Sequence, residues 1–212
     1  MRIGVRGILC GLPIVAAPLL AQAPLGWRVS ADSQVNLDST ITHSGNRSGR
    51  VRGLSAGDFV TLRQGLSPDS VSGRRVRFSG YVRTNLVSGT AGLWMRVNGP
   101  GPNEILSFDN MSSRPIVGVT PWTRYEIVLD VPSESVGIVL GVLMVGHGDV
   151  WLDDVLMEPV GREVAATNMA AAAASEAQHA HEEPTPAEQE RIAMLRRSAP
   201  WRLRNPGFEE RP

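Results

Sequence analysis

The sequence predicts an all-β protein, built as an antiparallel sandwich or barrel, on three observations. From Arg74 onward, strand-length segments rich in β-branched residues recur about every 10 to 15 residues. Apolar and polar side chains alternate within these segments. Gly, Pro, Ser or Asp separates the segments, and no 3.6-residue periodicity lies between them, which favours antiparallel strands over alternating βαβ units.

The first predicted strands are short. They fall at residues 27–29, 34–37, 50–52 and 59–62. A Gly-containing turn at residues 43–46 comes before the third of them, and a loop rich in Pro, Asp, Ser and Gly follows the fourth over residues 65–73.

The centre of the predicted sheet is a strand at residues 90–99, preceded by another at residues 74–85. The apolar face of the central strand carries Leu93, Met95 and Val97, and its mixed face carries Trp94, Arg96 and Asn98. Later strands are predicted at residues 104–108, 123–131, 135–146 and 149–157. Residues 109–121 are predicted to form a longer loop. Asp109 and Asn110 at its start either shape the rim of a binding cleft or accept hydrogen bonds from turn amides, and the residue types favour the turn.

Composition is that of a globular protein, with 42% hydrophobic and 20% charged residues. The formal net charge is zero, so no basic face is indicated and no nucleic-acid partner is expected.

Residues 1–23 have the pattern of a secretory signal peptide. Arg2 and Arg6 form a basic start, an apolar run follows, and Ala21-Gln22-Ala23 supplies a small-x-small cleavage pattern. The sequence therefore predicts an exported protein, periplasmic or extracellular, without membrane association after cleavage. Cys10 lies inside the signal, so the mature chain is predicted to have no disulfide.

The C-terminal part changes in composition after Val160. Residues 161–184 are rich in alanine and predict a linker or marginal helix, because they lack an apolar face to bury. Residues 185–212 predict a short helix, begun by the capping box Thr185-Pro186-Ala187-Glu188, and then a strand-like terminal peptide.

Three segments carry a family resemblance: GYVRTNLVSGTAGLWMRVNG, SFDNMSSRPIVGVTPWTRYEIVLDVP and IVLGVLMVGHGDVWLDDVLMEPV. Over residues 27–160 the chain resembles the galactose-binding-like, carbohydrate-binding-module-like jelly roll found beside exported bacterial peptidases and erythromycin-esterase-like hydrolases. GHGDVWLDDV, which resembles the final strand of such modules, is its most specific part. The resemblance implies a β-sandwich over residues 24–160 without catalytic residues, with binding as its role.

One departure from that family concerns its opening N-x-G-F-E strand. Nothing like it precedes Gly26, yet Asn205-Pro206-Gly207-Phe208-Glu209 stands near the end of the chain. The C-terminal peptide returns to complete the sandwich, or it begins a second domain, or five residues match by accident. A strand supplied to another copy would give a strand-swapped homodimer.

The candidate ligand-binding residues are Trp94 and Arg96 on one strand and Arg77, Tyr81 and Arg83 on the preceding one. If the two strands are neighbours, an aromatic ring and several planar donors converge on one sheet face, which suits the apolar face and hydroxyl edge of a sugar. The competing interpretation packs Trp94 in the interior. Packing positions are also predicted for Trp122, Tyr125 and Trp151.

A structural calcium ion is the candidate cofactor. Asp153 and Asp154 are adjacent in the last strand, and the resemblance implies a site there to which Glu209 or a backbone carbonyl contributes. The alternative is a strand end with one solvated carboxylate and one held by backbone amides.

The sequence contains no P-loop or H-E-x-x-H motif, which together with the resemblance predicts a non-enzyme. The primary hypothesis is an exported binding module that recognises carbohydrate or another cell-envelope ligand on one sheet face. The alternatives are a structural or protein-docking domain and an accessory fragment of a hydrolase.

Overall fold

The structure, a computed structural model, describes residues 25–30, 34–168, 190 and 202–210. The predicted signal peptide lies outside them, as do the linker beyond Asn168 and all of the predicted C-terminal helix except Glu190, which is helical. The described part of the chain is otherwise strands, turns and loops, so the predicted all-β antiparallel fold is confirmed. No helix among the described residues has the length and apolar character needed to cross a bilayer.

The described residues form nine strands. They are β1 (Arg28–Val29), β2 (Gln34–Asp38), β3 (Ser48–Gly53), β4 (Phe59–Leu66), β5 (Arg74–Asn98), β6 (Ile105–Asp109), β7 (Ile116–Val131), β8 (Gly137–Val145) and β9 (Gly148–Val160).

The long strand β5 belongs to both sheets of the sandwich. Residues 74–85 lie between β7 and β9 in the first sheet, which continues through β3 to β2. Residues 90–98 lie between β6 and β8 in the second sheet, which continues through β4 to β1. The pairing becomes irregular between them, where Leu86 has a φ of 54°.

The sandwich core lies between the inner faces of these two sheets. In residues 74–85 the side chains of the hydrophobic core are even-numbered, as at Phe78 and Val82, whereas in residues 90–98 they are odd-numbered, as at Leu93 and Met95. The irregular segment of β5 shifts the alternation by one residue. The same strand therefore turns one face toward the core in each of the two sheets.

Two segments differ from the sequence predictions. The predicted strands at residues 74–85 and 90–99 are not neighbours, because they are successive parts of β5. The loop predicted at residues 109–121 is shorter in the structure, since β7 begins at Ile116. The first part of β7 pairs with β5 in irregular registers, so its sequence lacks the apolar–polar alternation that marks a strand. The loop that remains is a turn, in which Asp109 and Asn110 accept hydrogen bonds from the amides of Met111 and Ser112. The turn interpretation is confirmed.

Candidate binding site

The five candidate ligand residues do not converge. Arg77, Tyr81 and Arg83 occupy the outer face of the first sheet, because they alternate with the buried Phe78 and Val82. Trp94 and Arg96 occupy the outer face of the second sheet, opposite the buried inner side of the same strand. Since the outer faces of a sandwich point away from each other, these are two separate surfaces.

An aromatic group forms on the outer face of the first sheet. The rings of His43 and Tyr81 stack with centroids 3.6 Å apart and an interplanar angle of 15°. Trp122 meets His43 edge-on at 5.8 Å. Tyr81 and Trp122 are partly exposed and His43 is exposed. Sequence reasoning missed His43 and Trp122 as site residues, because the turn before β3 and strands β5 and β7 bring them together only in the folded chain.

Arg83 is the cation on this face that has no acidic partner among the described residues. Arg77 pairs with Glu126 and Glu158, and Arg124 also pairs with Glu126. The side chain of Arg83 makes no ion pair or hydrogen bond to the described residues, and its buried Nε lacks an acceptor. Arg83 is partly exposed, so the guanidinium nitrogens that face solvent can donate to acceptor oxygens of a ligand.

Trp151 forms the floor beside Arg83. Arg83 lies opposite Trp151 in the β5–β9 register, and Trp151 is buried, as predicted. The indole N–H of Trp151 donates to Asp38 at 2.8 Å, and Arg50 lies 5.3 Å from the ring centroid. Burial alone raises the pKa of Asp38, but hydrogen bonds from Thr40 and Trp151 outweigh it and hold the pKa below its ordinary value.

The second sheet offers a different surface. Trp94 is only 8% exposed, so little of its ring is available to stack on a sugar, and its Nε1 has no hydrogen-bond partner among the described residues. Arg96 lines a shallow pocket of about 150 Å³ together with Asn98 and Glu104. The packing interpretation of Trp94 fits its burial better than the ligand interpretation.

The three carboxylates of the predicted calcium site bind the turn before β3. Asp153 accepts hydrogen bonds from the amides of His43 and Ser44, and Asp154 accepts from the side chains of the same two residues. Glu209 accepts from the amides of Asn46 and Arg47, a contact that orders the same turn. The described residues contain no group of three or more His, Cys, Asp or Glu side chains arranged to hold a metal ion. These contacts account for the carboxylates without a cation, and calcium binding stays a prediction.

Asp153 is fully buried, and this burial raises the pKa of its carboxyl, although the His43, Asp154 and Ser44 amides donate to it. A raised pKa of an acid means that the ionised form is the less favourable one in the folded protein. The stability associated with Asp153 is therefore present at the lowest pH and falls as the pH rises through its pKa.

Glu209 has the opposite sign, which gives a testable pH dependence. The amide of Asn46 holds the pKa of Glu209 below its ordinary value. Its contribution is therefore complete above the unfolded pKa of about 4.3 and is lost as the pH falls through the folded pKa. Glu209→Gln is expected to remove this acid-side loss, seen as the difference between unfolding midpoints of variant and wild type at a series of pH values.

Glu210→Gln is the matched control for this experiment. Glu210 contacts Asn205 through its backbone, so its variant keeps that contact. If both variants change the pH profile of stability to the same extent, the acid-side loss does not come from Glu209.

Comparison with known proteins identifies the fold. No family model matches the sequence. The chain is 39% identical over 151 residues to the uncharacterized HTH-type transcriptional regulator YbfP of Bacillus subtilis, a match that covers 68% of this chain and 51% of that protein. The chain thus spans about half the length of this relative.

Solved structures of carbohydrate-binding modules share the sandwich. The CBM22-1 xylan-binding domain of Paenibacillus barcinonensis Xyn10C superposes with a TM-score of 0.50 at 17% identity, over 66% of this chain and 88% of that one. The CBM22-1-GH10 modules of Clostridium thermocellum xylanase 10B, complexed with xylohexaose, give a TM-score of 0.50 at 17% identity, over 70% of this chain and 30% of that one. The fold is therefore that of the galactose-binding-like β-sandwich modules, and the resemblance in the sequence is confirmed at the level of fold.

Proposed function

We propose that the protein is an exported, non-catalytic module that binds carbohydrate or a related cell-envelope ligand on the outer face of its first sheet. The observation that carries the proposal is the aromatic group of His43, Tyr81 and Trp122 on the same face as Arg83, whose guanidinium has no acceptor among the described residues. The fold shared with carbohydrate-binding modules supports it.

The aromatic group suits the apolar part of a sugar. A pyranose ring presents C–H groups on its faces, and these pack against aromatic side chains that have exposed surface. The side chains of Asp154 and Asp153 fix the His43 turn, which in turn fixes the ring stacked on Tyr81. A surface positioned in this way loses little side-chain entropy when a ligand binds.

Arg83 suits the polar edge of the same ligand. A guanidinium carries five N–H donors, and sugar hydroxyl or carboxylate oxygens are acceptors of the matching kind. Arg83 has no acidic partner among the described residues, whereas its neighbour Arg77 pairs with two glutamates. The proposal therefore gives Arg83 the role of orienting the ligand on the sheet.

The test is binding of the mature protein to a panel of plant and bacterial-envelope polysaccharides, measured by isothermal titration. Trp122→Ala and Arg83→Gln are each expected to weaken binding by about tenfold or more, the size typical of aromatic and arginine anchors. Arg96→Gln, on the outer face of the second sheet, is the matched control and is expected to bind as wild type does. Repeating the titration with calcium and with chelator tests the calcium prediction, which requires that chelation weaken binding or stability.

Two results would contradict the proposal. If Arg96→Gln weakens binding and Arg83→Gln does not, the ligand occupies the second sheet. If the folded wild-type protein binds no glycan, the alternative gains, namely a docking domain or an accessory fragment of a hydrolase. The match to about half of a relative named as a transcriptional regulator supports the docking domain over the hydrolase fragment.

A further inference from the structure

The C-terminal segment, residues 202–210, occupies a surface of the sandwich that is matched to it. Phe208 is fully buried in the core, with its ring centroid 5.0 Å from that of Trp27. Gly49 of β3 makes room for this ring, since a Cβ there would lie 2.8 Å from Phe208 and from Leu62. The segment is therefore packed into the interior by its aromatic residue.

Hydrogen bonds match the segment to the sandwich as specifically as the apolar contact does. The Gln64 side chain, only 1% exposed, accepts from the amide of Arg204 at 2.7 Å and donates to its carbonyl at 2.9 Å. The indole N–H of Trp27 donates to the carbonyls of Arg204 and Asn205 at 3.1 and 3.3 Å. The amide of Val155, in β9, donates to the carbonyl of Pro206.

Among the described residues, the Gln64 side chain and the Trp27 indole have their hydrogen-bond partners in the segment only. The buried amide of Gln64 and the indole N–H of Trp27 would lose those hydrogen bonds if the segment left, and unsatisfied buried groups are costly. The surface thus has the properties of a peptide-recognition site. It has an apolar pocket with hydrogen-bond donors and acceptors around it, and the Asn46 and Arg47 amides bind the carboxylate of Glu209.

The segment is separated from the sandwich by residues 169–201. An extended chain of that many residues reaches roughly 110 Å, several times the width of a sandwich domain. The connection therefore imposes no requirement that the segment bind to its own molecule. The last described residues before it, Thr167 and Asn168, contact β7 and β6, whereas the segment docks beside Trp27 and β4.

We propose that this surface is a recognition site for the peptide Arg-Asn-Pro-Gly-Phe-Glu-Glu, residues 204–210, and that a second copy of the chain supplies the peptide when its own is released. The partner is thus another molecule of this protein, joined by exchange of the segment. The inference rests on the contacts of residues 202–210 and is independent of the carbohydrate proposal.

A complementation experiment with two full-length variants tests it. Phe208→Ala leaves the surface intact and removes the anchor of the segment. Gly49→Val keeps the segment and fills the space that Phe208 needs. Each variant alone is expected to be monomeric, and their mixture is expected to form a one-to-one heterodimer, measured by light scattering after size-exclusion chromatography. A mixture of two folded variants that stays monomeric overturns the proposal.

A second experiment covers the case in which either variant fails to fold. A specific protease site is placed within residues 169–201 of the wild-type chain, and the purified protein is cut there. A labelled synthetic peptide of residues 202–212 is expected to exchange into the cut protein, and the same peptide with Phe208→Ala is expected to bind about a hundredfold more weakly or worse. Absence of exchange, or unfolding of the sandwich on cutting, would overturn the proposal, because both mean that the segment is not a separable ligand.

Discussion

Replacing Phe208 by alanine is expected to lower the free energy of unfolding by about 3 to 5 kcal/mol. The ring is fully buried against Trp27 and Gly49, so its removal leaves a cavity that the strand neighbours do not fill. The loss is a large fraction of the stability of an ordinary domain, which is about 5 to 15 kcal/mol. Urea denaturation followed by tryptophan fluorescence measures it.

Phe59→Ala is the matched control for Phe208→Ala. Phe59 lies in β4 but is 59% exposed, so the same substitution there is expected to change stability by no more than about 0.5 kcal/mol. Equal effects at the two positions would mean that residues 202–210 do not dock on the sandwich in solution. A loss of stability at Phe208 alone would establish that a peptide more than 150 positions from Gly49 completes the core of the sandwich.

The sequence anticipated the strands well because each strand is encoded by its own alternation. Leu93, Met95 and Val97 are all buried as predicted, and β6, β8 and β9 fall within a few residues of their predicted positions. Alternation is a local property, and local properties are visible in one sequence.

The candidate site was harder to predict because it depends on which strands meet. The transfer of β5 from one sheet to the other separates Tyr81 from Trp94, and it occurs near Leu86, a residue that carries no obvious signal for a positive φ. The stacking of His43 on Tyr81 likewise depends on Asp153 and Asp154, which hold a turn more than 100 positions away in the chain. No pattern within a single segment encodes either arrangement.

The N-P-G-F-E peptide lies between these two cases. Its composition marked it as unusual, but three explanations remained open from the sequence. The structure shows that the peptide returns to the sandwich of its own chain as turns and bends, with positive φ at Asn205 and Phe208 and no ladder amide at Pro206. This local geometry lets Phe208 point into the core while Glu209 reaches the turn before β3.

Replacing Arg114 by methionine is expected to destabilise the fold by about 3 kcal/mol, because it leaves a buried carboxylate without its counter-ion. Asp109 is fully buried, and Arg114 donates to both of its oxygens, at 3.2 and 2.7 Å. Arg114 also donates to the carbonyl of Glu126 in β7, so it ties the turn to the first sheet. Thermal or urea unfolding of the variant measures the loss.

Arg124→Met is the control for this prediction, because the pair of Arg124 and Glu126 is 41% exposed on both sides. Such surface pairs contribute no more than about 1 kcal/mol. The double variant Asp109→Asn with Arg114→Met separates charge from packing: a neutral amide in the same place is less costly to bury than a carboxylate, and its oxygen can still accept from Met111. Recovery of part of the lost stability in the double variant shows that the unpaired charge caused the loss. If the double variant is less stable than Arg114→Met alone, the loss comes from the missing packing and backbone contact of the arginine, and the electrostatic explanation is wrong.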